Sequence, residues 1–328
     1  MGFEPSPATT VPRVAIGADL GGTKMLVGVV AEGPKVLHTV EEVSFGRSAS
    51  EVLDTMELEL RRALEACPEA GAAGLGIPCT IDYERGIAVN AVNLPISDVP
   101  VRDIMSERLG IPVVVDNDAN TAALAEHRWG AARGTRNAVL LTIGTGIGGG
   151  LIIDGKVYRG SSGAGAELGH MVIDTDGPPC QGSCPNNGCA EAVASGTALG
   201  REASAAAERH PDSALGALLA SGEEVTGRAA TVAAIAGDEV AIGVIGEIGR
   251  RLGAFASGLA NVFEPDIIVF GGGVLAAGEL LLEPIRAEVA RRALPPMNQT
   301  RIAHAELGPE AGMIGAAALA MDELETRT

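Results

Sequence analysis

The stretch VAIGADLGGTKMLVGVVA, Val14 to Ala31, consists of two apolar, β-rich runs joined by Asp19-Leu20-Gly21-Gly22-Thr23-Lys24. Apolar runs of strand length on either side of a glycine tip predict a β-hairpin. Glycines let a backbone approach a phosphate closely and aim N–H groups at it. Asp19 has the chemistry to hold Mg²⁺ through water, and Thr23 or Lys24 to meet an oxyanion. Taken alone, the pattern is more often that of an ordinary glycine turn. A second copy changes its weight: AVLLTIGTGIGGGLII, Ala138 to Ile153, again runs apolar strand, Thr/Gly turn (Thr142-Ile143-Gly144-Thr145-Gly146), apolar strand. A supersecondary unit met twice predicts two related lobes, each offering a phosphate-type hairpin to a shared cleft.

The rest of the chain suits that arrangement. At 328 residues it exceeds what a single core usually serves. Its apolar content is mostly Ala, Val, Ile and Leu with only 2% aromatic residues, which favours α/β layers over an aromatic-rich sandwich. Buried strands are predicted at Ala73–Ile77, Pro112–Val115, Ile267–Phe270 and near Arg301–Ala305. A helix capped by Ser50 would place Val52, Leu53, Met56, Leu60, Ala63 and Leu64 on one face. Further helices are predicted at Arg102–Leu109, Thr121–Trp129, Ser195–Ala207, Ala214–Ala220, Asp238–Val262, Gly278–Arg292 and Ala311–Met321, and a loop with Asn90, Asn93 and Pro95. The expected division is a smaller lobe, 1–118, with residues 306–328 packing back on it, and a larger lobe, 119–305.

A net charge of −18 argues against nucleic acid or an anionic membrane as the main partner. No run of 18 apolar residues occurs, and Met1 to Arg13 is polar and lacks the apolar core of a signal peptide, so a cytoplasmic location is expected.

Three clusters carry candidate chemistry. Asp116-Asn117-Asp118-Ala119-Asn120 ends a buried strand, which is where open α/β sheets place their reactive groups, and Asp118 is the candidate general base. Helix capping is the competing reading of the same residues. Gly271-Gly272-Gly273 follows another strand; it suits the approach of a flat nucleotide base, or a tight strand–helix turn. Finally, His170, Cys180, Cys184 and Cys189 stand among Gly, Pro and Asn, so that four nitrogen and sulfur donors can converge. Buried or disulfide-paired cysteines are the alternative. Three clustered cysteines leave an odd one, and a cysteine-poor chain without a secretion signal belongs in a reducing compartment, which favours a structural zinc.

In these ordered motifs the sequence resembles the ROK family of repressors and sugar kinases. The resemblance runs from about residue 14 to 321 and rests on ADLGGTK (18–24), DNDAN (116–120), TIGTGIGGG (142–150), AGAELGH (164–170), the cysteine loop ending at Glu191, and FGGG (270–273). It implies an α/β, actin-like (ribonuclease H-like) two-lobed sugar-kinase fold with ATP between the lobes and a hexose at the base of the cleft. By the same resemblance, Asp19, Gly21, Gly22, Thr23 and Lys24 with Thr145 and Gly146 serve the phosphates, and Gly271, Gly272 and Gly273 the adenosine. Asn117 and Asp118 match a sugar-binding Asn and the catalytic Asp. Asn93, Glu167, His170 and Glu191 match sugar contacts, while His170, Cys180, Cys184 and Cys189 match zinc ligands. The activity implied is transfer from ATP, with Mg²⁺, to the 6-hydroxyl of a hexose, glucose first, with fructose, mannose or N-acetylmannosamine as alternatives. Polyphosphate is the alternative donor and a homodimer the implied assembly. A sugar-responsive repressor of the same family would need a basic helix-turn-helix ahead of the first strand, where only 13 polar residues stand.

Two departures from the family pattern are visible. Cys180 and Cys184 are separated by Gln-Gly-Ser where a single residue is usual, and Pro78-Cys79 and Asn93-Leu94-Pro95-Ile96 replace residues near the sugar.

Overall fold

The computed structural model describes residues 13–21, 24–42, 48–91 and 94–327. Gly22, Thr23 and Asn93, three of the candidate site residues, lie outside the described residues, as does the segment 1–12. Strands β1 (Val14–Leu20), β2 (Met25–Ala31) and β3 (Lys35–Glu42) form an antiparallel meander, followed by helix α1 (Ala49–Ala66) and strand β4 (Ala73–Ile77). Three short strands, β5 (Cys79–Asp82), β6 (Ile87–Ala91) and β7 (Ser97–Val99), make a small sheet of their own. Helix α2 (Val101–Leu109) leads to β8 (Val113–Asn117) and α3 (Asp118–Trp129). The second half begins with the hairpin β9 (Ala138–Ile143) and β10 (Ile147–Ile153) and the short β11 (Lys156–Val157). After the cysteine loop come α4 (Ala190–Ala194), α5 (Gly196–Arg209), α6 (Ala214–Ala220), α7 (Gly227–Ile235) and α8 (Glu239–Phe263). The chain closes with β12 (Ile267–Gly271), α9 (Glu279–Arg292), β13 (Arg301–His304) and α10 (Ala311–Arg327).

The repeat expected from the two glycine hairpins is present in the topology. One five-stranded sheet runs β3-β2-β1-β4-β8 and the other β11-β10-β9-β12-β13. In each, an antiparallel hairpin is extended on one side by two strands parallel to its first member. The C-terminal ends of the parallel strands therefore face the same way. They deliver Asp19 opposite Gly76, Ile77 opposite Asn117, and Thr142 opposite Gly271.

Several sequence expectations need correction. Helix α1 is capped by Ser48, not Ser50: the Ser48 side chain accepts from the Glu51 N–H while Glu51 bonds back to the Ser48 N–H, a reciprocal capping box that Ser50 cannot make. Asn90, expected in a loop, lies in strand β6; alternating burial along β5 and β6 builds the small sheet over the first core, while Pro95 lies in the bend between β6 and β7. Helix α3 starts at Asp118, because Asn117 caps it by accepting the N–H groups of Ala119 and Asn120 at 2.9 and 3.3 Å. Strand β3 and helix α7 carry no strong pattern and were not anticipated. Among the described residues no single helix is long and apolar enough to cross a membrane.

Helix α10 joins the two halves. It packs on β1 and β4 and against α3, and the contact is at backbone distance. A Cβ at Gly17 would overlap the Met313 carbonyl, one at Gly74 that of Ala316, and one at Gly315 that of Thr121. Where α10 meets this sheet its face is correspondingly small, with Ala316, Ala317 and Ala320 fully buried. Packing this close leaves no room for a methyl group, and the cost of overpacking is typically about 1–3 kcal/mol or more. We therefore expect Gly74→Ala to lower the melting temperature by several degrees. Gly258→Ala, at a helical position where nothing lies within 4 Å of the added carbon, should hold or raise it by up to about 1 kcal/mol in stability. Thermal unfolding followed by circular dichroism checks both.

Candidate active site and metal centre

Two carboxylates meet at the strand ends. Asp19 closes β1 and Asp118 opens α3, and Gly76 lies between them: a Cβ there would sit 3.4 Å from the Asp118 Cα and 3.5 Å from Asp19 Oδ1. Asp19 also lies against the first turn of α10, where a Cβ at Gly312 would be 2.5 Å from its carboxylate. Burial raises the pKa of Asp19 to about 7, the Asp118 charge adds to this, and Lys24 opposes it. Burial likewise raises Asp118 to about 6; the Ala119 N–H pulls it down and Glu167 pushes it up. The desolvated floor of a cleft shared by like charges is where carboxylates become usable as bases near neutral pH.

The other predicted carboxylates are brought to the same place. Glu167 is raised by burial and by Glu191, and lowered by His170. Buried Cys79 is pushed up to about 12 by burial, with Asp118 and Glu167 contributing. Asp118, Glu167, Glu191, His170 and Cys79 thus sense one another across one wall. Asn117 spends its side-chain oxygen on the α3 cap, while its Nδ2 donates to the Cys79 carbonyl at 3.3 Å.

A cavity of about 540 Å³ runs from Asp19 and Asp118 to Gly271, Gly272 and Gly273. Gly272 has φ of +91°, and a Cβ there would collide with the backbone of Ile143, so this position requires glycine. The cavity has the length to take a nucleotide with its phosphates at the carboxylate end. Its other walls, Thr142, Glu126, His304 and Pro309, have no signature in the sequence. Thr145 and Gly146 are not among the residues lining it. Their turn faces the cysteine loop: the Thr145 carbonyl accepts from Thr197 Oγ1 at 2.9 Å and from Gln181 Nε2 at 3.3 Å, and Glu191 Oε2 accepts the Ile147 N–H at 2.8 Å.

His170, Cys180, Cys184 and Cys189 converge as the sequence predicts. One ligand atom from each lies within 4.8 Å of all the others. Cys184 Sγ and Cys189 Sγ are 3.8 Å apart, and Cys180 Sγ is 3.5 Å from His170 Nδ1. Bonds of about 2.3 Å to sulfur in a tetrahedron give edges of about 3.8 Å, so this cluster fits a structural zinc ion. The longer Cys180–Cys184 spacing is accommodated without displacing either thiol. Because the protein supplies four donors, such a site is closed and has no position for an activated water. The loop stands next to catalytic candidates: Cys180 Sγ reaches Glu191 Oε1 at 3.7 Å.

One ion pair escaped the sequence reading. Asp116, 2% exposed, is held by Arg159 through Nε at 2.8 Å and Nη2 at 2.7 Å, and Arg159 stacks on Tyr83 with 3.8 Å to the ring centroid. Asp116 Oδ1 meanwhile accepts from the Asn117 N–H and Asn120 Nδ2. The DNDAN segment is therefore anchored from the second half of the chain, by an arginine that looks like any other in the sequence.

Two lobes of repeated topology around a cleft with carboxylates at its floor and a glycine cluster on one wall define an actin-like sugar-kinase fold. A ROK family model matches residues 15–323, and the chain belongs to the ROK family. A glucokinase of Thermotoga maritima is 35% identical over 311 residues, spanning 94% of this chain and 98% of that protein. The crystal structure of a ROK family glucokinase from Streptomyces griseus in complex with glucose and AMPPNP is 37% identical, with a TM-score of 0.84 over 94% of this chain and 99% of that one. A xylose repressor of Caldicellulosiruptor bescii is 29% identical over 285 residues, covering 83% of this chain and 68% of that protein.

The metal geometry leads to a direct expectation. The purified protein should carry about one zinc per chain, and Cys189→Ser should lose most of it and unfold at lower temperature, since a closed site contributes folding free energy. Elemental analysis alongside a melting curve provides the check.

Proposed function

We propose that this chain is a hexose kinase that transfers the γ-phosphoryl group of ATP to the 6-hydroxyl of glucose, with Asp118 as general base. The observation that carries the reading is the cavity joining Asp118 and Asp19 to the Gly271–Gly273 wall, with Glu167 beside Asp118 and Glu191 beside Glu167. The likeness over nearly the whole chain to glucokinases, one of them solved with glucose and AMPPNP, supports the choice of sugar and donor.

The mechanism follows from the chain's own groups. Asn117, Glu167, His170 and Glu191 hold the sugar hydroxyls, and fixed polar groups of this kind reject a sugar whose hydroxyl is missing or inverted. Asp118, ionised above its raised pKa, accepts the proton of the 6-hydroxyl as the new oxygen–phosphorus bond forms and the bond to the β–γ bridging oxygen breaks, releasing ADP. Asp19 is placed to hold Mg²⁺, which would neutralise charge on the phosphates. The zinc loop buttresses Glu191 and the Thr145–Gly146 turn, so the metal shapes the substrate wall without entering the chemistry. In this reading residues 1–118 with 306–328 and residues 119–305 are the two lobes, and the enzyme works as a cytoplasmic homodimer.

Two outcomes are expected. In a matrix of hexoses against ATP and polyphosphate, glucose with ATP should give the highest kcat/KM; no turnover of any hexose would remove the proposal. Asp118→Asn should lower kcat by about 10²–10⁴-fold while glucose still binds in calorimetry. The pH dependence has a definite sign. The base must be ionised, so kcat/KM should fall as pH drops through about 6, far above the ordinary aspartate value of 3.8. A carboxyl whose pKa is raised by folding costs stability once it is ionised. Asp118→Asn should therefore be more stable than the parent at pH 8, by up to about 2–3 kcal/mol, and the difference should shrink as pH falls through 6 toward 4.

A further inference from the structure

The chain passes between its two five-stranded sheets at two places, from α3 to β9 through residues 130–137, and from β13 to α10 through residues 305–310. One side chain holds both. Glu126, on the third turn of α3 and 1% exposed, accepts the Ala131 N–H at 2.8 Å and the Glu306 N–H at 3.2 Å on Oε2, and the Leu307 N–H at 2.8 Å on Oε1. Room for the carboxylate exists because residue 130 is glycine: a Cβ there would overlap Oε2. Arg301, at the start of β13, donates to the Ala131 carbonyl at 3.2 Å and ties the first crossing to the strand that leads into the second.

We infer that Glu126 is a positioning residue for phosphoryl transfer, clamping both crossings to the helix that carries Asp118. Asp118, Ala122 and Glu126 recur at helical spacing on α3 and all line the 540 Å³ cavity. The opposite wall, Gly271–Gly273, hangs from the sheet that begins and ends at the two clamped crossings. The separation between Asp118 and that wall is thus set where both crossings are held against α3, by three N–H groups that share one carboxylate. A carboxylate suits this task and an amide does not. Three donors need two accepting oxygens, and a glutamine has one; whichever way it turns, a buried N–H of one crossing faces an NH₂ group.

The clamp itself is a matter of geometry; its role in the reaction rests on the hexose-kinase reading. The test uses the full chain with two variants, Glu126→Gln, nearly isosteric, and Gly130→Ala, which displaces the same carboxylate from the other side. Amide hydrogen exchange without substrates should speed up at 131 and at 306–307 together, by about tenfold or more, in both variants. With glucose and ATP, the KM of both substrates should rise by roughly tenfold, because both sit on the spacing that the clamp sets. The acid limb of the pH profile near 6 should not move, since Asp118 itself is untouched. Faster exchange at 131 alone, or wild-type KM values in both variants, would overturn the inference. If the parent protein turned over no hexose, the kinase reading would fall, and the exchange measurement would still decide whether one carboxylate holds both crossings.

Discussion

The backbone-to-backbone contact of the C-terminal helix with the first sheet is the constraint on which the rest of this structure depends. Glycines at 17 and 74 let α10 settle onto β1 and β4 with its carbonyls where side chains would otherwise stand, and Gly315 does the same against α3. The dispersion energy and the exclusion of water at this seam fix α3 and α10 as a pair between the two sheets. Asp118 is the first residue of one of these helices, and Asp19 touches Gly312 in the first turn of the other. The distance between Asp19 and Asp118 is therefore a consequence of helix packing.

The site built on this seam stores electrostatic cost. Asp19, Asp118 and Glu167 all have pKa values raised, primarily by burial and then by like-charged neighbours. Lys24 and His170 offset part of this with positive charge, and the Ala119 N–H does so for Asp118. Binding of a cation or of a proton in such a cleft would relieve the repulsion. By contrast Asp116, one residue before Asn117, is paired with Arg159, whose Nε and Nη2 both donate to its Oδ2. Two aspartates at one strand end thus have different surroundings, one paired with a guanidinium and the other buried beside a like charge.

The two glycine hairpins are related in topology and differ in use. The first, with Asp19, opens directly on the cavity. The second turns its Thr145–Gly146 tip toward Glu191 and the cysteine loop, where Gln181, within the lengthened Cys180–Cys184 spacing, also reaches the Thr145 carbonyl. The extra loop residues add a contact between the metal centre and this turn.

Much of this was legible in local sequence. β-Branched runs around glycine tips mark hairpins because their period and turn chemistry are local; polar clusters after buried strands mark the cleft; three cysteines and a histidine among turn residues mark a metal site, since ligand type limits what can bind. The boundaries of α1 and α3 depended on which of several capping residues could complete its bonds, and the β5–β7 sheet depended on pairing partners that no single segment reveals. Glu126 with residues 131, 306 and 307, and Asp116 with Arg159, join positions far apart in the chain and leave no periodic trace. The same holds for the glycines: those at 21, 22 and 271–273 and those at 17, 74 and 315 look alike as letters. Only packing singles out the ones that make room for a helix, because the atoms that a missing Cβ would meet are brought there by the folded chain alone.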